Sequence, residues 1–410
     1  MRSLVIIATT AVLLVIGVCS VQAQQKTIKD SAEYNAYITA LNMQDPVQKA
    51  AAMEAFIEKY PNSVVILDAL EQAMGAYQAG GNVDKVQSTA NRILAIDQNH
   101  VQALAVMVFI NRNQATSGKT QLLPEIKSQA ARGLQLLPTW NKPAEMSDED
   151  FKNLQNRMAS IFNGASGFVA LQAKDYAAAR DYYLKSVQID PNNLQDVYQL
   201  SIAELEMKPI DPNGFWYIAK AIKLSGDNKA AVQSISGYGK AKYHNYHGGD
   251  DGWDSILASI GDQNVPPPSF AGSIKRAPTA AEIAVQAVQQ NDVSSMSFSD
   301  WEFILSYRDA SPANKEAADK VWRAIQSLQK NGAAKLSIPV KVISATGDTI
   351  IAAISEDNQK SNTADVRITL QSPVASPPKP GAEIKIVGVL TDYALNPLVF
   401  TMKQAEISGS

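Results

Sequence analysis

Apolar and polar positions recur at helical spacing through most of the chain. Leu70, Ala73 and Tyr77 lie three and four residues apart, which places them on one face of a helix, and the glycine-containing segment 80–82 follows as a turn. The same spacing returns between residues 194 and 205. The pattern predicts an array of antiparallel helix pairs.

The period changes from helical to alternating at Lys335. Leu336, Ile338 and Val340 face one way, with polar residues between them. Four further segments are predicted as strands, at residues 349–354, 365–370, 383–390 and 399–407. Five short strands so close together predict a small closed barrel.

The clearest repeat unit extends from Ser160 to Asn193. Small residues let two antiparallel helices approach closely, an aromatic side chain fills the space between pairs, and a proline ends the second helix. The unit resembles a tetratricopeptide repeat. That family has small residues at two positions, matched here by Gly167 and Ser186, and an alanine matched by Ala179. Its aromatic and proline positions are matched by Tyr183 and Pro191, and Tyr176 is the aromatic residue of the turn.

The neighbouring units match the repeat less completely. Residues 67–100 form one full unit, although Val86 and Gln98 depart from the family pattern. Residues 101–138 form a longer unit, and residues 139–150 interrupt the array before a capping box at Ser147 begins a long helix. We therefore expect four to five repeats, with irregular boundaries.

The sequence as a whole predicts a mainly α fold, a tetratricopeptide-like α-solenoid of antiparallel helix pairs followed by a small five-stranded all-β barrel. The strand spacing resembles an OB-fold, although prolines at residues 376–381 replace the helix that usually lies between the third and fourth strands of that fold. The predicted divisions are a signal peptide (1–23), a repeat domain (31–262), a proline-rich linker (263–278), a short helical segment (279–332) and the barrel (333–410).

The first residues have the three parts of a secretory signal peptide. Arg2 precedes an apolar run from Leu4 to Val18, and Val21-Gln22-Ala23 offers small residues for cleavage before Gln24. This predicts a periplasmic or extracellular protein of the bacterial cell envelope. The alternatives are a retained anchor and a lipoprotein modified at Cys19. Cleavage would remove the only cysteine, and with it any disulfide or thiolate chemistry.

Charge excludes some classes of partner. The formal net charge is −3, and no run of Lys or Arg suits phosphate or anionic lipid. We expect neither nucleic-acid binding nor strong membrane binding after signal cleavage. The oligomeric state is left open.

One stretch contains two of the three histidines. On a helix, His244 and His247 share a face, and Asp250 or Asp251 would complete a two-histidine, one-carboxylate metal site. The alternative, which we favour, is a helix that ends at Gly248-Gly249, with histidines near its negative end and aspartates capping the next helix. We find no Gly-x-Ser-x-Gly, His-Glu-x-x-His or phosphate-loop motif. The sequence therefore predicts no enzyme, no metal and no cofactor.

The resemblance to tetratricopeptide repeats implies that the first helix of each pair lines a concave groove that binds protein or peptide partners. Carried over by register, the family's groove positions fall on Glu71, Gln78, Phe109, Arg112, Asn113, Phe168, Gln172 and Tyr198. The leading hypothesis is a non-enzymatic protein-binding scaffold or adaptor. The alternatives are an extracytoplasmic metal-dependent hydrolase centred on His244, His247 and Asp250, and a self-associating structural repeat protein.

Overall fold

The computed structural model describes residues 27–143 and 146–408, and the predicted signal peptide with Cys19 lies outside them. The chain divides between Arg276 and Ala277 into two compact units, which we term the helical unit and the barrel unit. The division falls within the segment that the sequence suggests as a linker. The predicted fold class, helices followed by a closed five-stranded barrel, is confirmed.

The helical unit consists of α-helices joined by short turns. Their bounds are α1 (Ser31–Leu41), α2 (Pro46–Lys59), α3 (Ile66–Ala79), α4 (Val83–Ile96), α5 (Val101–Thr116), α6 (Leu123–Leu136), α7 (Asp148–Gln172), α8 (Tyr176–Ile189), α9 (Leu194–Glu206), α10 (Asn213–Leu224), α11 (Lys229–His247), α12 (Trp253–Ala258) and α13 (Phe270–Ser273). From α1 to α11 each helix packs against the next, and α7 also contacts α5 and α9. The alternate helices α5, α7 and α9 therefore lie side by side.

Asparagine and aspartate residues begin many of these helices. The side chains of Asn82, Asp175, Asn193 and Asn228 each accept a hydrogen bond from the third backbone N–H of the helix that follows. This satisfies a donor that the helix itself cannot use. Ser147 does the same for α7, so the predicted cap begins a long helix. Its hydroxyl donates to Asp150 Oδ2, in place of the backbone bond that would complete a capping box.

Glycines permit the closest contacts between neighbouring helices. A Cβ atom at Gly133 would lie 2.3 Å from Cζ of Phe162, and one at Gly167 would lie 3.0 Å from the ring of Tyr183. Both aromatic rings are fully buried. The small residue predicted at Gly167 therefore lets α8 pack closely against α7.

Two hydrophobic cores run through the helical unit. One joins the first five helices around Met53, Leu70 and Ile93, and the other extends from α5 to α13 around Phe162 and Trp216. Helix α5 supplies residues to both cores, so its faces are buried on two sides. No helix of the described residues is long and apolar enough to span a bilayer.

The barrel unit begins with α14 (Ala280–Gln290), α15 (Phe298–Ser306) and α16 (Pro312–Leu328). The strands are β1 (Leu336–Ala345), β2 (Thr349–Ala353), β3 (Val366–Leu370), β4 (Glu383–Ala394) and β5 (Val399–Ser408), with the short helix α17 (Glu356–Ser361) between β2 and β3. They close in the order β1-β2-β3-β5-β4, and only β3 and β5 run parallel. No helix separates β3 from β4, as the prolines of that segment predict.

Helices α14 to α16 share one hydrophobic core with the barrel, in which Trp301 and Val321 join Ile368 and Phe400. Buried polar groups tie the helices to the strands. The amide of Gln329 accepts from the backbone N–H of Leu390 at 2.6 Å and donates to its carbonyl at 3.1 Å, as a neighbouring strand would. The segment 279–332 is therefore continuous with the barrel in its packing.

Candidate functional site

A cavity of about 450 Å³ opens in the helical unit between α5, α7 and the junction of α8 with α9. Its volume lies in the range typical of ligand sites, about 300–1,000 Å³. We call it the α5–α7–α9 groove. Its lining residues are Phe109, Arg112, Asn113, Asn153, Asn156, Arg157, Ser160, Ile161, Ile189, Asp190, Asn193, Gln195 and Asp196.

A buried ion pair forms the floor of the groove. Arg112 is 7% exposed and Asp196 is 1% exposed, and the guanidinium Nη2 donates to Asp196 Oδ1 at 2.5 Å. The other carboxylate oxygen accepts from the hydroxyl of Ser186 at 2.6 Å, and Ser186 also lies 3.0 Å from the hydroxyl of Ser160. Both oxygens of Asp196 are therefore engaged, and α5, α7, α8 and α9 are joined by one polar network.

Helix α7 makes room for this pair at a glycine. A Cβ atom at Gly164 would lie 2.3 Å from Asp196 Oδ2 and 2.6 Å from Arg112 Nη1. Neither group could keep its position beside a larger residue. The ion pair consequently rests directly against the backbone of α7.

The surroundings of Arg112 keep it charged. Burial lowers the pKa of the guanidinium, but the negative charge of Asp196 and the hydrogen bond to it outweigh that effect, so that the pKa is raised. The guanidinium also lies over the rings of Phe168 and Tyr183, at 5.9 and 6.0 Å from their centres. Both arrangements favour the cation.

The surface of the groove combines apolar and amide side chains. Phe109 is 37% exposed and Ile189 is 36% exposed, so both present apolar surface to solvent. Beside them, the side chains of Asn113, Asn153 and Asn156 are exposed and make no hydrogen bond with any described residue. The groove therefore offers apolar contact area together with free hydrogen-bonding groups.

Three of the eight residues predicted from the repeat register line this groove, namely Phe109, Arg112 and Asn113. Phe168 is buried beneath Arg112 and belongs to the core. Gln172 is exposed at the end of α7, and Tyr198 packs edge-on against Tyr238.

Glu71 and Gln78 lie on α3, away from these three residues. Glu71 lines a second cavity of about 250 Å³ between α3 and the turn before α2. Its carboxylate lies 2.7 Å from Nε2 of His100, whose Nδ1 accepts from the backbone N–H of Ala103 and so caps α5. Because Nδ1 is an acceptor, the ring proton is on Nε2 and is donated to Glu71. The side-chain Oε1 of Gln78 is buried without a hydrogen bond among the described residues.

The register did not predict most of the groove residues. Asn153, Asn156 and Arg157 come from the first turns of α7, which precede the repeat unit recognised at Ser160. The capping box predicted at Ser147 was the available signal, because it marks the start of α7, which is 25 residues long and so includes these three residues. Ile189 and Asp196 come from the α8–α9 junction, which the repeat pattern treats as a connection.

The histidine segment does not form a metal site in the described structure. Helix α11 ends at His247, and Gly248 follows with φ +89°. His244 Nδ1 lies 2.8 Å from Asp250, whereas Nδ1 of His247 faces the carbonyl of Lys275 at 2.8 Å and its ring stacks on Tyr243. No three His, Cys, Asp or Glu side chains converge anywhere in the described residues. The geometry gives the hydrolase alternative no support.

The comparisons with known proteins give little guidance. No protein-family model matches the chain, and no curated protein matches it. Among solved structures, it is similar to that of PilW, described as a widely conserved type IV pilus biogenesis factor. The identity is 14% and the TM-score 0.29, over 56% of this chain and 99% of that chain. A TM-score this low does not establish a common fold.

One further buried carboxyl lies in the same helical unit. Glu204 on α9 is 2% exposed, and its Oε2 has no hydrogen-bond partner among the described residues. Burial, together with the negative charge of Asp211, raises its pKa from 4.5 to about 9. The folded protein therefore holds this proton at neutral pH, whereas the unfolded chain releases it.

We predict that Glu204→Gln stabilises the protein increasingly as the pH rises. A raised pKa in the folded state makes stability fall between pH 4.5 and about 9, and the amide removes that loss. Urea unfolding should show a gain about 4 kcal/mol larger at pH 8 than at pH 5. The exposed Glu58→Gln is the control. Parallel pH profiles for the wild type and Glu204→Gln would contradict the assignment.

We also predict that Arg112 and Asp196 are energetically coupled. Arg112→Met leaves a buried carboxylate without its cation and should lower the free energy of unfolding by about 3–5 kcal/mol. Adding Asp196→Asn should restore most of the loss, because the charge is then gone and Ser186 keeps an acceptor. Arg157→Met, at an exposed arginine of the same groove, should change stability by less than about 0.5 kcal/mol. Losses that simply add in the double variant would show that the pair is not coupled.

Proposed function

We propose that the protein is a non-enzymatic scaffold that binds a protein partner in the bacterial cell envelope, by holding a polypeptide segment in the α5–α7–α9 groove. The observation that carries this proposal is the pairing of exposed Phe109 and Ile189 with unengaged amide side chains in one concave cavity. Large apolar side chains supply contact area, and amides fix the orientation of a bound chain.

The floor of the groove supports this function because it is held in place before any partner arrives. Arg112, Asp196 and Ser186 connect three helices through buried hydrogen bonds, and Gly164 leaves them no spare room. A site that is already ordered loses less conformational entropy on binding. The helices therefore present a fixed surface to a flexible segment.

The envelope location rests on the sequence of the first 23 residues, which has the parts of a cleavable signal peptide. The described residues contain no cysteine, so the fold depends on packing alone. The signal-peptide features favour a protein that is exported and functions outside the cytoplasm.

Site-specific photocrosslinking tests the proposal. A benzoylphenylalanine placed at Phe109 should give discrete adducts with envelope proteins after irradiation, because that ring lies exposed in the groove. The same residue placed at Val83, an exposed apolar position on α4, is the matched control and should give none of these adducts.

Each other outcome argues against the scaffold. Identical adducts from the two positions would show that the groove is not the binding surface. An adduct with twice the mass of the chain, formed only from position 109, would favour the self-associating structural protein instead.

A further inference from the structure

We infer that the α5–α7–α9 groove selects polypeptide segments that carry no net charge and are anchored by apolar side chains, and that acidic side chains do not strengthen their binding. This inference rests on the proposed function and specifies the chemistry of the ligand. It follows from how the charged, amide and apolar groups of the groove are already engaged.

The charge of Arg112 is already balanced by Asp196. Its Nη2 donates to one oxygen of Asp196, and the other oxygen accepts from the hydroxyl of Ser186. An acidic ligand group that took Arg112 would leave Asp196 buried at 1% exposure without its cation. Such an uncompensated buried charge is strongly unfavourable. The ion pair therefore shapes the floor and, having no net charge, gives no net attraction to an anion.

The charges at the rim also cancel. Arg157 and Asp190 line the groove, both are exposed, and neither forms an ion pair within the described part of the chain. With Arg112 and Asp196, the lining contains two cations and two anions. A surface with balanced charge gives no long-range attraction to a net-charged partner.

Apart from Ser160, whose hydroxyl contacts that of Ser186, the remaining polar side chains of the lining are amides. Asn113, Asn153, Asn156 and Gln195 each offer N–H donors and a carbonyl acceptor. The peptide backbone has the same two groups, one donor and one acceptor per residue. These side chains consequently suit the backbone of a bound segment, whatever charge its side chains have.

The apolar part of the lining then determines which side chains of a bound segment are preferred. Phe109 and Ile189 are more than a third exposed, and half-buried Ile161 lines the same cavity. Apolar side chains of a partner would remove this surface from water, which is the largest favourable contribution that the groove can make. The occupant is therefore an uncharged segment with aliphatic or aromatic side chains.

A peptide selection tests the inference. A phage-displayed dodecapeptide library is selected on the full chain, and each peptide is then rebound to Phe109→Ala/Ile189→Ala. The control variant is Val83→Ala/Ile96→Ala, because Ile96 ends α4 as Ile189 ends α8 and both control residues are exposed. Peptides lost on the first variant and retained on the control define the groove ligands.

We expect these ligands to be rich in apolar residues and close to zero net charge. The Kd of a synthetic groove ligand should change less than about threefold between about 50 and 500 mM NaCl, since neutral contacts are not screened.

Groove ligands with runs of Asp or Glu, or a Kd that weakens more than about tenfold over that range, would overturn the inference and leave the proposed function intact. A selection that yields no groove-dependent peptide would contradict the proposed function itself, and the inference with it.

Discussion

Arg112 and Asp196 lie 84 residues apart in the chain, on α5 and α9, and they meet in the floor of the groove. The pair restricts which residues can lie next to it. Ser186 must offer a hydroxyl to the second carboxylate oxygen, and residue 164 of α7 must lack a side chain. A buried ion pair is tolerated only when its remaining hydrogen bonds are satisfied, so the contact also fixes the spacing of three first helices in consecutive pairs. The shape of the candidate site depends on this one interaction.

The same interaction explains the chemical character of the groove. The charges of Arg112 and Asp196 cancel within the floor. The surface above it therefore consists of amides, apolar side chains and two opposite charges at the rim. In the second cavity, on α3, the carboxylate of Glu71 is also already engaged, by a hydrogen bond from His100. Buried charge in this array therefore joins neighbouring helices, and Glu204, which is buried without such a partner, remains protonated. The uncharged side chains at the surface of the groove are therefore the groups that would recognise a partner.

Local patterns predicted the architecture well, and long-range contacts limited the prediction of the site. Alternation of Val366, Ile368 and Leu370 identified β3, and Gly167 with Tyr183 identified a close helix pair, because each signal lies within one unit of structure. The role of Asp196 depends on a partner four helices earlier in the chain, which no local pattern encodes. Ser186 was recognised only as a small residue, although its hydroxyl holds Asp196. The repeat register also placed Phe168 in the groove, whereas its ring lies buried under Arg112.

The most direct test of this account is methyl NMR of the isoleucine-labelled protein during titration with one groove-dependent peptide. Ile161 and Ile189 line the groove, Ile96 occupies the corresponding end of α4, and Ile350 and Ile386 lie inside the barrel. The account predicts that the signals of Ile161 and Ile189 shift with a saturating dependence on peptide concentration, while those of Ile96, Ile350 and Ile386 stay unchanged. Shifts at Ile350 and Ile386 with none at Ile161 and Ile189 would contradict it, because the binding surface would then belong to the barrel.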